Sequence, residues 1–279
     1  DRARLAATAV AHGRRWIDDP SNQRPEFARI AARQAIDGAS GDALSGMAMR
    51  YGAARTAIER RIAALLADLV SADAAGFAWC DLVGLTNLPD EIAQRLLARL
   101  AACFGGRRHG ARRAGLATAL AALRAGSSGA AGGCRFVVRG RRLLVCREAG
   151  AIAAPARVAP TGSLIWDGRY DIGWDGAEAG ALLGPLGRTG RAQALASGLT
   201  DLRALPAPVA EALPALYGPD GLLRAVFAAE GGENAGLRCG GRQDIPPATV
   251  ILWLSARFRP VRALAPAAWP LVLPSGKPM

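Results

Sequence analysis

The stretch Cys134–Arg147, CRFVVRGRRLLVCR, predicts a β-ribbon in the middle of the chain. Aliphatic and β-branched residues dominate its two halves, Cys134–Arg139 and Leu143–Arg147, and Gly140 lies between them, where a tight turn favours glycine. Alternation along both halves puts the arginines on one side of the ribbon. The same alternation places four apolar residues near the other side: Phe136, Val138, Leu144 and Cys146.

Helical patterns precede the ribbon. After a glycine-rich break at Gly38–Gly41, apolar residues recur every three or four positions over about 42–70, which predicts a long helix whose apolar stripe is core. Pro89 opens a second helix, predicted over Asp90–Phe104, and a third is predicted over about Arg112–Arg124. The N-terminal half is therefore predicted to be mainly helical.

Strand patterns lie on both sides of the ribbon. A short strand is predicted within Phe77–Leu85, and a second hairpin joins Ser163–Trp166 to Arg169–Trp174 around the turn dipeptide Asp167-Gly168. Beyond it we predict one helix and three strands, near Pro208–Leu216, Leu222–Phe227, Leu237–Cys239 and Thr249–Phe258. The fold class is α+β: a mainly helical N-terminal half with a basic β-ribbon, followed by a small mixed α/β-rich C-terminal module.

The positive charge of the chain is concentrated in one segment. The formal net charge is +12, and Ile92–Arg147 contains twelve arginines and no acidic residue, so this window accounts for the whole excess. A localised acid-free basic segment is typical of proteins that bind a phosphate backbone. The alternative is a solvated basic face without a partner.

Composition limits the remaining function classes. No apolar run approaches the roughly 18 residues that a membrane-spanning helix needs, and no leader pattern opens the chain, so we expect a cytoplasmic protein without a membrane partner. Five widely spaced cysteines and only two histidines, His12 and His109, indicate neither a disulfide framework nor a metal site. The glycine clusters Gly126–Gly133 and Gly231–Gly241 have no lysine in range for a phosphate-binding P-loop and are predicted to be loops.

A motif near the N-terminus is the most specific pattern in the chain. Trp16–Arg33 reads WIDDPSNQRPEFARIAAR, in which an acidic turn is followed by two arginines one helical turn apart. It resembles the W-x-x-D-P-S-N, aromatic, R-x-x-x-R segment that follows the nucleotide-binding core in bacterial tRNA(Ile)-lysidine synthetases. The residues of this motif that we single out are Asp19, Ser21, Asn22, Arg29 and Arg33.

Two later motifs support the resemblance. The family's G-G-C followed by G-R-x-L-x-[IV]-C-R-E is similar to the segment from Gly132 to Glu148. Trp166–Tyr170, WDGRY, is similar to a W-D-G-R-[FY] element of some members. The three motifs occur in the family's order over about the first 170 residues.

The resemblance implies a tRNA-modifying ligase. Such enzymes use ATP with Mg²⁺ to activate the wobble cytidine of tRNA(Ile) with a CAU anticodon, and free lysine then forms lysidine. The family holds ATP in an S-G-G-x-D-S loop, which this sequence lacks, so we expect that loop to precede Asp1 and the catalytic residues stay unknown. Parts after the family's catalytic core hold tRNA, and nine arginines are accordingly predicted to bind RNA: Arg107, Arg108, Arg112, Arg113, Arg135, Arg139, Arg141, Arg142 and Arg147.

The resemblance also suggests a domain order. Residues 1–37 would end the catalytic domain and its linker, 38–150 would form a helical basic tRNA-binding domain with the hairpin, and 151–279 a small α+β domain. The alternative is a non-catalytic RNA-binding module, or an inactive remnant without the ATP-binding loop. For Arg29 and Arg33, contact with RNA or nucleotide phosphate and an ion pair with Asp18 or Asp19 are equally open.

Overall fold

A computed structural model describes residues 2–14, 24, 26–36, 38–226, 253–260 and 264 of the chain. The chain divides into two compact units, Asp1–Glu59 and Arg60–Met279.

The helices are α1 Arg2–Ala11, α2 Ala28–Ala35, α3 Gly38–Leu69, α4 Leu82–Thr86, α5 Asp90–Phe104, α6 Arg113–Arg124, α7 Gly187–Ala196 and α8 Ala207–Glu211. The strands are β1 Val70–Asp73, β2 Phe77–Asp81, β3 Gly129–Ala131, β4 Cys134–Arg139, β5 Arg142–Arg147, β6 Ala156–Arg157, β7 Gly162–Trp166, β8 Tyr170–Asp175, β9 Leu182–Pro185, β10 Pro214–Tyr217, β11 Leu223–Val226 and β12 Trp253–Phe258. This mixture of helices and antiparallel sheets confirms the α+β class.

The predicted β-ribbon is the centre of a five-stranded antiparallel sheet. Strand order is β1-β2-β5-β4-β3, and β4 pairs with β5 from Cys134↔Arg147 to Arg139↔Arg142. The turn between them has two residues, and its Gly140 has φ +58°, a conformation that glycine adopts without strain. Both strands are confirmed, with β5 beginning one residue before the predicted start.

The assignment of ribbon residues to two faces was partly wrong. Pairing Val137↔Leu144 and Arg135↔Cys146 puts Leu144 and Cys146 on the arginine side, and Phe136 lies on the opposite side. Both sides are covered, because Gly129, the partner of Phe136, lies against Ala119 of α6, while Leu144 and Cys146 belong to a core cluster with Trp166 and Tyr170. Alternation identifies polar and apolar faces only where one side of a sheet meets water.

The helix predictions succeeded best where the helix packs on this sheet. Helix α5 has the predicted bounds, with Pro89 immediately before it, and Leu96, Leu97 and Leu100 are fully buried. Helix α6 begins one residue later than predicted. The acidic first turn of α5, Asp90 and Glu91, also suits the partial positive charge at a helix N-terminus.

The long helix α3 is confirmed, but part of its apolar stripe is not core. Ile62 and Leu66 are buried, whereas Leu44, Met47 and Tyr51 are 49%, 46% and 70% exposed. Periodicity shows that residues share a face and does not show that another element covers that face. The predicted glycine break at 38–41 was also wrong, because α3 already begins at Gly38.

Two smaller sheets follow, in the orders β12-β8-β7 and β11-β10-β9-β6. The hairpin around Asp167-Gly168 is confirmed as β7 and β8, paired from Gly162↔Trp174 to Trp166↔Tyr170. The helix predicted near 208–216 was wrong in its second half, because Pro214–Tyr217 forms β10. Helix α7 and strand β9 were not predicted, and the strand predicted at 237–239 lies outside the described residues.

One core cluster connects the ribbon with the segment after residue 151. It includes Val137, Leu144 and Cys146 of the five-stranded sheet together with Trp166, Tyr170 and other buried residues as far as Val226. The domain bounds 1–37, 38–150 and 151–279 stay a prediction. None of the helices in the described ranges is both long and apolar enough to cross a membrane.

Candidate nucleic-acid interface

The N-terminal motif is described only in part. Asp19, Ser21 and Asn22 lie outside the described residues. Arg29 and Arg33 both lie on α2, one helical turn apart, as the R-x-x-x-R spacing predicts. The choice between phosphate contact and an ion pair with Asp18 or Asp19 stays a prediction.

The first group of predicted RNA-binding residues lies on the loop between α5 and α6 and at the first residue of α6. Arg107, Arg108, Arg112 and Arg113 are all exposed there. Close backbone packing fixes this loop against the β3–β4 turn, because a Cβ at Gly105 would overlap the carbonyl oxygen of Gly132. These glycines hold the loop arginines beside the end of the ribbon where β4 begins.

The second group lies along the ribbon and at its turn. Arg135 and Arg139 of β4, Arg141 of the turn and Arg142 of β5 are exposed. The guanidinium carbon of Arg142 lies 4.3 Å from the ring centroid of Trp79 on β2, within cation–π range. Since β4 rises about 3.4 Å per residue, Arg139 lies roughly 17 Å along the strand from the loop group beside Cys134.

The eight exposed arginines of these two groups have no carboxylate within 4.0 Å in the described ranges. Their neighbours in the same acid-free window differ. Arg95 pairs with Glu91 at 2.9 Å, and Arg124 pairs with Asp90 at 2.6 Å while also donating to the carbonyl oxygens of Thr86 and Leu88. Within the described window Ile92–Arg147, eight of the nine arginines predicted to contact RNA therefore have no carboxylate within 4.0 Å.

Arg147 differs from the other eight arginines in being buried, and we do not propose that it contacts RNA. It is 4% exposed, and all five of its guanidinium N–H bonds have acceptors within the protein. Nε and Nη2 donate to the two carboxylate oxygens of Asp167 at 2.7 and 2.6 Å, and the remaining bonds reach the carbonyl oxygens of Gly105, Gly133 and Ala151. A phosphate could bind Arg147 only if this network opened.

Asp167 is a structural residue that the sequence indicated only as part of a turn. It is 3% exposed in its side chain, has φ +50°, and also accepts from Nε of Arg169 at 2.9 Å. Arg169 is 1% exposed and donates through Nη2 to the carbonyl oxygen of Ala212 at 3.0 Å. The Trp-Asp-Gly-Arg-Tyr element thus places one buried carboxylate between two buried guanidinium groups. The only local signal for this arrangement in the sequence is the arginine two positions after Asp167.

Buried thiols contribute no nucleophile to this surface. Burial raises the pKa of Cys80 and Cys103 to about 12, that of Cys146 to about 11, and that of Cys134 well above its usual value. All four are therefore neutral thiols near pH 7. Because the thiolate is the reactive form of cysteine, they are poor nucleophiles. Their chemistry is that of small apolar core residues.

Comparison with known proteins relates the chain to one family of enzymes. It is 36% identical over 195 residues to the tRNA(Ile)-lysidine synthase of Ruegeria pomeroyi, a match that covers 68% of this chain and 43% of that protein. It is 31% identical over 173 residues to the tRNA(Ile)-lysidine synthase of Rhizobium meliloti, with 61% of this chain and 37% of that protein covered. No protein-family model matches the chain.

The chain spans about two fifths of the length of these curated relatives. Both relatives bear the name of the family that the three sequence motifs resemble. By this shared sequence the chain belongs among the relatives of the tRNA(Ile)-lysidine synthases.

Proposed function

We propose that this chain is the tRNA-binding part of a tRNA(Ile)-lysidine synthase, the portion that follows the ATP-binding loop. The whole protein would use ATP and Mg²⁺ to join free lysine to the wobble cytidine of tRNA(Ile) with a CAU anticodon. Relatives named for this activity support the proposal. The sequence contains no S-G-G-x-D-S loop, so the ATP site is proposed for the whole protein and not for the residues described above.

The observation that carries the proposal is the set of eight exposed arginines without a carboxylate partner in the described part of the chain. Exposed like charges repel one another and are stabilised when a polyanion neutralises them. Double-helical RNA offers mainly phosphates, 2′-hydroxyls and shape, and arginine forks suit phosphate oxygens. The loop arginines and the arginines at the turn end of the ribbon, about 17 Å apart along β4, would contact different parts of one folded RNA.

The salt dependence of tRNA binding tests this proposal. If about five arginines neutralise phosphates, the logarithm of the affinity for a tRNA(Ile) transcript should fall with log salt at a slope of order −4. Replacing Arg107, Arg108, Arg112 and Arg113 together by glutamine should reduce the steepness by roughly 1 for each arginine–phosphate pair that the substitutions remove. Filter binding or fluorescence anisotropy over a salt series measures both quantities.

Arg95→Gln is the matched control, because Arg95 lies in the same acid-free window but already pairs with Glu91. It should leave the slope of the 279-residue chain unchanged. A slope near zero for the unaltered chain would refute the proposal. If Arg95→Gln reduced the salt slope as much as one of the loop substitutions does, total charge and not the arginines without ion pairs would determine binding.

A non-catalytic RNA-binding module is the second candidate, because the eight exposed arginines would by themselves suffice for RNA binding without an ATP site. The reading frame immediately before Asp1 discriminates between the two. An in-frame loop there supports the ligase, and a start signal without it supports the module. Arg29→Ala with Arg33→Ala in the ligase should then lower lysidine formation more than thermal stability.

A further inference from the structure

Three arginines crowd the turn of the β4–β5 ribbon. Arg139 lies directly opposite Arg142 across the strands, and Arg141 lies in the two-residue turn between them. Like charges directly opposite each other destabilise a sheet. Asp81 pairs in register with Arg142, but its Oδ1 accepts from the backbone N–H of Val83 at 3.1 Å and caps α4. Within the described ranges, the fold thus holds three positive charges together, and none of them has a carboxylate oxygen within 4.0 Å.

Arg142 also has a fixed aromatic support. Its guanidinium carbon lies 4.3 Å from the Trp79 ring centroid, and Trp79 is partly buried and packs against the core cluster, where it meets Phe77 edge-on. Because the indole ring packs against that core, it supports the Arg142 guanidinium group from one side. Arg142 is exposed, which leaves the side of the plane away from the indole accessible to solvent.

Cation–π pairs are common in proteins, and the pair alone indicates no ligand. Here it coincides with the neighbouring charges of Arg139 and Arg141, so one small surface offers a flat cationic plane beside two further guanidinium groups, whose geometry suits phosphate oxygens. Unpaired RNA bases stack on arginine planes and on aromatic rings, whereas a base inside a duplex already has neighbours on both faces.

We propose that the ribbon tip, defined as Arg139, Arg141, Arg142 and Trp79, binds an unpaired RNA nucleotide. The base stacks on the Arg142 guanidinium held by Trp79, and Arg139 and Arg141 contact the flanking phosphates. This inference rests on the proposed RNA binding and adds a site for single-stranded RNA to it.

Arg142→Lys tests the stacked plane, because it keeps the charge and removes the flat guanidinium. We expect the 279-residue chain carrying it to bind a short single-stranded oligoadenylate about five- to tenfold more weakly, as stacking of one base predicts. Arg95→Lys is the matched control, because Arg95 lies in the same acid-free window but pairs with Glu91 and lies outside the ribbon tip. It should weaken binding less than about twofold.

A blunt-ended RNA duplex is the second probe, and both lysine variants should bind it like the unaltered chain. Equal effects of the two variants on oligoadenylate would overturn the inference, as would failure of the unaltered chain to bind oligoadenylate. So would an equal loss of duplex binding in Arg142→Lys. The salt dependence of tRNA affinity separates the two proposals. If tRNA affinity falls steeply with salt but Arg142→Lys binds oligoadenylate like the unaltered chain, the stacking site alone is refuted. If tRNA affinity does not depend on salt, RNA binding itself is refuted.

Discussion

Arg142 and Arg147 lie at the two ends of β5, and their guanidinium groups have opposite environments. Arg142 is exposed and meets an aromatic ring, while Arg147 is buried and meets a carboxylate and three backbone carbonyls. Both belong to the same basic pattern in the sequence. At the scale of a single residue, the free N–H groups of an arginine are a better guide to anion binding than its position in a basic segment.

The carboxylate of Asp167 should be the most sensitive polar group of the described core. Asp167→Asn leaves Arg147 and Arg169 buried without a counter-charge, which we expect to cost about 3–5 kcal/mol of unfolding free energy. Asp90→Asn is the control, since Asp90 pairs with Arg124 but its side chain is 71% exposed, and it should cost less than about 1 kcal/mol. Urea denaturation of both variants measures the difference, and similar small losses would mean that the buried network contributes little to stability.

At the scale of an element, the ribbon shows how a turn sets register. Gly140 has φ +58° and an open environment, because a Cβ added there would meet no atom within 4 Å. The turn therefore needs glycine for its backbone angle and not for space. The resulting two-residue loop places Arg139 opposite Arg142 and fixes every other pair along β4 and β5.

Two glycine-to-alanine changes with open surroundings should have opposite effects. Gly140→Ala forces a side chain into the left-handed region and should destabilise the protein by about 1–2 kcal/mol. Gly115 lies inside α6, where alanine is favoured, and Gly115→Ala should stabilise it by up to about 1 kcal/mol. Thermal or urea unfolding measures both signs, and a neutral Gly140→Ala would show that the turn can rearrange.

At the scale of the whole molecule, the described core buries neutral thiols on both sides of the central sheet. The raised pKa of Cys80, Cys103, Cys134 and Cys146 means that the folded state keeps protons that the unfolded chain loses above its ordinary thiol pKa of 9.0. Their contribution to stability is complete below pH 9 and is lost as the pH rises toward about 12.

We therefore expect the unfolding free energy to fall between pH 8 and pH 10 by about 1 kcal/mol for each buried thiol. Urea denaturation under reducing conditions at the two pH values measures this loss. Cys80→Ala removes one titrating group, so its loss over the same interval should be smaller by about 1 kcal/mol. An unchanged pH dependence in Cys80→Ala would contradict the assigned cause.

The sequence alone determined the elements whose signals are local. Proline and the acidic first turn located α5, the glycine turn located the β4–β5 hairpin, and Asp167-Gly168 located the next hairpin. The order of three short motifs also identified the family resemblance. These features depend on neighbours a few residues apart, so a pattern read along the chain contains them.

Tertiary structure decided what each of these elements faces. In the folded chain both sides of the ribbon are covered, and the first half of the apolar stripe of α3 is exposed. Arg147 is buried, whereas the other eight arginines of the same basic pattern are exposed. Burial and ion pairing depend on residues far apart in the sequence, such as Asp167 for Arg147 and Trp79 for Arg142. A one-dimensional pattern carries no information about such distant partners, and the folded chain alone brings them within contact distance.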